Sequence, residues 1–213
     1  MEGYSLAPDA LELRSPGAGG PARRASLGEV ETSCAGCTQC ALHASRSRIV
    51  FGVGSPEAEV VFVGEGPGRE EDIQGEPFVG RAGQLLTRII TSMGFSRQEV
   101  YICNAVKCRP PDNRTPTVEE IATCRPYLEA QIDAIRPKVI VALGNPAVRA
   151  LLNISKGISH LRGSFLEWRG IKVMPTFHPA YLLRNPKAKR QVWDDMKLVL
   201  AEIGRTPPER TKG

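Results

Sequence analysis

Three cysteines stand at CxxCxxC spacing, Cys34, Cys37 and Cys40, and Cys108 and Cys124 follow far downstream with fifteen residues between them. Three thiols within seven largely polar residues, beside a Gly- and Pro-rich stretch, have no core to fill, so two or three of them are expected to be metal ligands. A CxxC pair lets both sulfurs reach one metal centre. Either a zinc ion or an iron–sulfur cluster would then be closed by two cysteines from elsewhere in the chain. Spacing alone does not choose between these centres, nor between Cys34-Cys37 and Cys37-Cys40 as the pair. A ferredoxin-like run is excluded, because no fourth cysteine with a proline follows Cys40 at the required distance. Cys103 lies inside an apolar run and reads as a small core residue.

Two loops carry other chemistry. Gly64-Glu65-Gly66-Pro67-Gly68 follows a β-rich run, but its glycines are spaced GxGxG with a proline between them and open into a loop. A dinucleotide-binding turn needs GxGxxG leading directly into a helix, and no GxxxxGK[ST] phosphate loop occurs anywhere. The glycines instead allow backbone to approach a flat ligand closely, with Glu65 placed to orient water or stabilise positive charge. Phe78, in Gly75-Glu76-Pro77-Phe78-Val79-Gly80, is either a core plug or a stacking face for a base. Asn104 ends a strand, where its amide offers a donor and an acceptor to a planar heterocycle or else serves a turn.

His178 opens the loop His178-Pro179-Ala180-Tyr181-Leu182-Leu183-Arg184-Asn185-Pro186. Leu182 and Leu183 form an apolar tip, followed by Arg184, Lys187, Lys189 and Arg190. Such a tip is a tucked core contact, or a wedge pushed between bases while the cations hold phosphates.

The elements that must position these residues alternate strand and helix. Glu59–Val63 reads as a strand, Ala82–Met93 has helical periodicity, and Val100–Cys103 is a second strand. A Pro-rich loop at 109–116 leads to a helix from Thr117 to Ile135, where Thr117 and Glu120 form a capping box. Lys138–Ala142 is a buried strand leading through Gly144-Asn145-Pro146 into a helix at Ala147–Leu152. Trp168–Met174 reads as a hairpin around Arg169-Gly170, and a final helix runs from about Lys189 to Ile203. This predicts a three-layer α/β/α sandwich on a mainly parallel, four-stranded sheet, with ligands beyond the carboxyl ends of the strands. Residues 1–33 are expected to be a disordered tail, 34–203 one domain, and 204–213 a second tail.

Length, at 213 residues, suits one domain, and no apolar run approaches the roughly 20 residues that a membrane helix needs. The N-terminus lacks an apolar secretory stretch, so a reducing cytoplasm is expected, in which the thiols stay free for metal. The net charge of +5 is compatible with a polyanionic partner.

Taken together, Gly64-Glu65-Gly66-Pro67-Gly68 with Glu70-Glu71-Asp72, Gly75-x-Pro77-Phe78-Val79-Gly80-x-Ala82-Gly83-x-Leu85-Leu86, Asn104-Ala105-Val106-Lys107-Cys108-Arg109-Pro110-Pro111 and His178-Pro179-Ala180-Tyr181-Leu182-Leu183-Arg184 closely resemble the family 4 iron–sulfur uracil-DNA glycosylases. The resemblance covers about residues 35–203. It implies a [4Fe-4S] cluster on Cys37, Cys40, Cys108 and Cys124, with Cys34 as a departure from the family pattern. It also implies that uracil, flipped from single- or double-stranded DNA, is bound by Gly64, Glu65, Gly66, Phe78 and Asn104, with His178 beside the leaving base. Glu65, His178 and Glu71 are the expected catalytic residues, Leu182, Leu183 and Arg184 the expected DNA contacts. A monomer is expected, cytoplasmic and nucleoid-associated when acting.

Two other classes compete. A cluster-bearing DNA-binding module without catalysis would not need Glu65 or His178, and both are present. An electron carrier would leave the Asn104 and His178 loops without a role.

Overall fold

Continuous apolar runs rich in β-branched residues, with no alternating polar positions, must be covered on both faces. Val60–Gly64 (β2) and Val139–Leu143 (β4) are such runs, and every residue of each is buried in the computed structural model, which describes residues 24–209. They pair in parallel, Val61 with Ile140 and Val63 with Ala142. Tyr101–Asn104 (β3) adds in parallel on one side and Ile171–Thr176 (β6) on the other.

The sheet has six strands in the order β1-β3-β2-β4-β6-β5, with two short antiparallel strands, Val53–Gly54 (β1) and Leu166–Trp168 (β5), at its edges. The four expected strands are its parallel centre; the expected count of four omitted the edges. The hairpin turn at Arg169-Gly170 is present, both residues having positive φ (48° and 82°), as a two-residue turn between twisted strands requires.

The period of two along the strands divides the core into two layers. Val61, Val63, Tyr101 and Ile140 face Val118–Ile135 (α4) and Asn145–Leu152 (α5); Val60, Phe62, Ile102 and Val141 face Arg81–Ser92 (α3) and Lys189–Glu202 (α8). The fold is therefore a three-layer α/β/α sandwich. Thr117 caps α4 as expected, its hydroxyl accepting from the Glu120 N–H while the Glu120 carboxylate accepts from the Thr117 N–H.

Three expectations are corrected. Leu27–Cys34 (α1) is a helix with a capping box at Ser26 and Glu29, so the tail reading fails for residues 27–33; residues 1–23 lie outside the described residues. Leu27, Val30 and Cys34 form a single apolar stripe, which packs with Phe51 and Tyr127. Second, the region after α8 is anchored at Arg205, which pairs with Glu59 at 2.7 Å and stacks on Phe95, while 210–213 lie outside the described residues. Third, the loop expected after His178 contains a helix, Pro179–Arg184 (α7), the next helix after the single turn Ile158–Leu161 (α6).

Candidate active site

β2 and β3 end side by side, with Gly64 directly opposite Asn104. A β carbon on Gly64 would collide with both Asn104 Oδ1 and the edge of the Phe78 ring, so Gly64 lets the two side chains meet above the strand end. They form part of the wall of a cavity of about 360 Å³, which is also bordered by Glu65, Gly66, Glu71, His178 and Arg184. The cavity lies beyond the carboxyl ends of the strands, where open α/β sheets bind ligands.

Asn104 is 1% exposed, and its Oδ1 has no hydrogen-bond partner among the described residues. An orphan acceptor in the interior costs about 1–3 kcal/mol unless a ligand answers it. Phe78 is buried and held in the left-handed region (φ 55°), a conformation that a bulky side chain adopts only when its surroundings impose it.

Two side chains impose it. Arg97 donates to the carbonyls of Pro77 and Phe78, at 2.8 and 3.2 Å. Glu71, on Arg69–Gln74 (α2), accepts from the N–H groups of Val79 and Gly80 with one oxygen and from Gly68 with the other. Glu71 thereby ties the Gly66–Gly68 turn to the Phe78 loop.

Burial pushes the Glu65 carboxyl above the usual carboxylate range, and a hydrogen bond from Thr115 opposes the shift. His178 caps α7, its Nδ1 accepting from the Ala180 N–H at 3.1 Å, so the neutral ring carries its proton on Nε2. Burial, reinforced by the Arg184 charge and opposed by Glu71, brings the imidazole down to about 4, and the ring is neutral at pH 7. Its centroid lies 5.5 Å from that of Phe78 at an interplanar angle of 32°.

The expected DNA contacts separate. Leu182 is fully buried in the α3/α8 layer, while Leu183 is 37% exposed and Arg184 borders the cavity. One helical turn directs Leu182 inward and its neighbour outward, so Leu182 is corrected to a core residue and cannot be a wedge. Tyr181, not singled out in the sequence, is exposed beside Leu183.

The second constellation is a recess bordered by Cys34, Cys37, Cys40, Cys108 and Cys124, so that sequence positions up to 90 apart converge. Among the described residues, no three Cys, His, Asp or Glu side chains form a closed set for a single metal ion. The surroundings are cationic. Arg46 donates to Cys108 Sγ at 3.1 Å and to the Cys37 carbonyl, the Lys107 N–H points at Cys124 Sγ at 3.3 Å, and Lys107 is among the residues that border the recess. Sulfur donors backed by fixed positive charge fit a thiolate-ligated cluster of net negative charge. Burial pushes the Cys34 thiol up to about 12 and that of Cys124 to about 11, with Lys107 opposing both. Cys103 is a core residue, as expected.

Sequence reasoning missed Arg97 and Thr115, ordinary surface-type residues whose partners come from other segments. Lys107 lay within a quoted motif, where a cation between a strand end and a cysteine was the available signal.

The profile of the uracil DNA glycosylase superfamily matches residues 51–197. The chain is 53% identical over 165 residues to a type-4 uracil-DNA glycosylase of Thermotoga maritima, covering 76% of this chain and 86% of that one. It is 43% identical over 191 residues to the type-4 enzyme of Archaeoglobus fulgidus, covering 86% and 96%. A third, from Saccharolobus solfataricus, is 43% identical over 180 residues, covering 80% and 83%. A strand-end pocket lined by Glu65, Phe78, Asn104 and His178, joined to a cysteine recess and to this degree of identity along most of the chain, places the protein in the uracil-DNA glycosylase superfamily, among its type-4 members.

Proposed function

We propose that this protein excises uracil from single- and double-stranded DNA, hydrolysing the N-glycosidic bond and leaving an abasic site. The observation that carries the reading is the orphan Asn104 Oδ1, buried in the cavity wall beside the Phe78 ring. Uracil offers an N3–H donor and an O4 acceptor on one edge, and a single side-chain amide answers both. Phe78 supplies the stacking face that holds the flipped base.

The N1–C1′ bond breaks with its electron pair moving to uracil, leaving positive charge on the sugar. His178, neutral and with its proton on Nε2, donates a hydrogen bond to the O2 of the departing base, where negative charge accumulates. Glu65 stabilises the sugar cation and orients the water whose oxygen bonds to C1′; the released proton passes to Glu65 and then to solvent. The departing base takes up a proton at N1 from solvent, so the products are neutral uracil and an abasic deoxyribose. Glu71, expected among the catalytic residues, is read as a positioning residue, because its carboxylate holds three backbone N–H groups.

Leu183 and Arg184 are proposed as the wedge and the phosphate contact, with Leu183 exposed on α7 and Arg184 at the cavity edge. Cys37, Cys40, Cys108 and Cys124 would hold a [4Fe-4S] cluster, which supplies a covalent tie between the N-terminal segment and the β3–α4 region. All of these groups sit on one chain, which supports action as a monomer; no helix among the described residues is long and apolar enough to cross a membrane.

The test is incubation of the purified protein with an oligonucleotide containing one uracil, followed by alkali. Strand scission at the uracil, and none at cytosine or thymine in the same position, is the expected result. An intact strand at every position would refute the reading.

A further inference from the structure

Lys107 is 1% exposed, one of the largest fully buried side chains of the protein. Its Nζ donates to the main-chain carbonyl of Asn104 at 2.8 Å and to Gln131 Oε1 at 2.6 Å. Gln131 is itself fixed, its amide donating to the Phe51 carbonyl and to Tyr101 Oη, so its oxygen can turn only towards the ammonium. No carboxylate pairs with Lys107 among the described residues. Two neutral oxygens compensate a buried ammonium poorly. Apart from the Tyr101 phenol, which burial keeps protonated, the nearby groups with an anionic form are thiols: Lys107 borders the cysteine recess, its N–H reaches Cys124 Sγ, and it precedes Cys108 in the chain.

We infer that Lys107 is a positioning residue joining the cysteine site to the base-reading amide: its charge answers a thiolate-ligated cluster while its Nζ holds the carbonyl of Asn104, the residue that faces the bound base. This rests on the uracil reading and deepens it. Its N–H meets Cys124 Sγ and its Nζ the Asn104 carbonyl, so a change at the cysteines reaches the end of β3 through the hydrogen bonds of one residue rather than through loose packing. Base recognition and cluster electrostatics are then coupled through one atom, Nζ.

The experiment uses the full-length, iron-loaded protein, Lys107→Met and Lys107→Gln. Two quantities are read: the ratio of affinities for an oligonucleotide bearing uncleavable 2′-fluorodeoxyuridine and for the same strand with an abasic analogue, and the reduction potential of the iron centre. Lys107→Met should lower the affinity ratio about tenfold and move the potential to more negative values, since removing a nearby cation disfavours the added electron. Lys107→Gln keeps an amide donor for the Asn104 carbonyl without the charge. It should hold the ratio near the wild-type value while still shifting the potential.

A shifted potential with an unchanged ratio in Lys107→Met would confine Lys107 to the cysteine site, and the reverse would confine it to Asn104; either result overturns the coupling. Loss of iron or of folding in both variants would make Lys107 part of site assembly and would overturn it equally. A wild-type protein with no preference for the base-bearing strand would refute the uracil reading instead.

Discussion

Gly64 and Asn104 face each other across parallel strands, and Asn104 Oδ1 occupies the space that a side chain on Gly64 would need. A single methyl group there also meets the Phe78 ring. Gly64→Ala should therefore displace both side chains proposed to contact the base, costing about 1–3 kcal/mol of stability and at least about 100-fold in kcat/KM. Denaturant melts and uracil-release kinetics on the same sample check this, and an active Ala variant would mean that the cavity is not the base site.

Asn104→Asp replaces the amide donor to uracil O4 by a carboxylate oxygen that repels it. Uracil excision should fall by about 10³-fold or more, with some cytosine excision appearing, because a carboxylate accepts from the cytosine amino group. The measurement is the ratio of rates on uracil and cytosine substrates. An unchanged ratio would leave base selection to backbone groups.

Acid pH should act on catalysis through Glu65 and on stability through His178. With Glu65 raised by burial, the acid limb of kcat/KM should lie above the ordinary carboxylate range, and Glu65→Gln should abolish that limb together with most activity. For His178 the unfolded ring takes a proton near 6.5 and the folded ring only at about 4, so the unfolded state binds more protons between those values. Stability should thus be lost as pH falls from about 6.5 towards about 4, and His178→Asn should flatten the dependence. Thermal melts across that range provide the check.

Leu182→Ala and Leu183→Ala should behave oppositely although the residues are adjacent. Leu182 is fully buried, and its truncation should cost about 2–5 kcal/mol in stability. Leu183 is exposed, and its truncation should leave the melt within about 0.5 kcal/mol while slowing excision from duplex more than from single-stranded DNA. Equal losses on the two substrates would remove the wedge role.

Serine at Cys37, Cys40, Cys108 or Cys124 should reduce iron content and the broad visible absorbance of a thiolate–iron centre. Cys34→Ser should keep both and lower stability by about 1 kcal/mol or more, because Cys34 packs with Val30 and Phe51 in a buried cluster. Iron loss from Cys34→Ser equal to that from Cys40→Ser would make Cys34 a ligand.

The regular elements were legible because their causes are local. Continuous apolar, valine-rich runs at Val60–Val63 and Val139–Val141 are the signature of buried parallel strands, and Thr117 with Glu120 closes its capping box within four residues. The turn at Arg169-Gly170 is equally local. The catalytic and base-contacting candidates were legible as well, since Gly64, Glu65, Asn104 and His178 stand at or next to the ends of strands that the pattern already marked.

What only the tertiary structure decided depends on direction and on distant partners. A doublet such as Leu182-Leu183 carries no information on which residue faces inward until a helix sets their phase against the core. Short α1 has one apolar stripe that gains meaning only against Phe51 and Tyr127. Arg97 and Lys107 look like ordinary charges in sequence, and Glu71 was expected to act in catalysis; their roles come from backbone groups and a buried amide up to 24 residues away, brought within hydrogen-bond reach by the packing of loops and of α4 against the sheet.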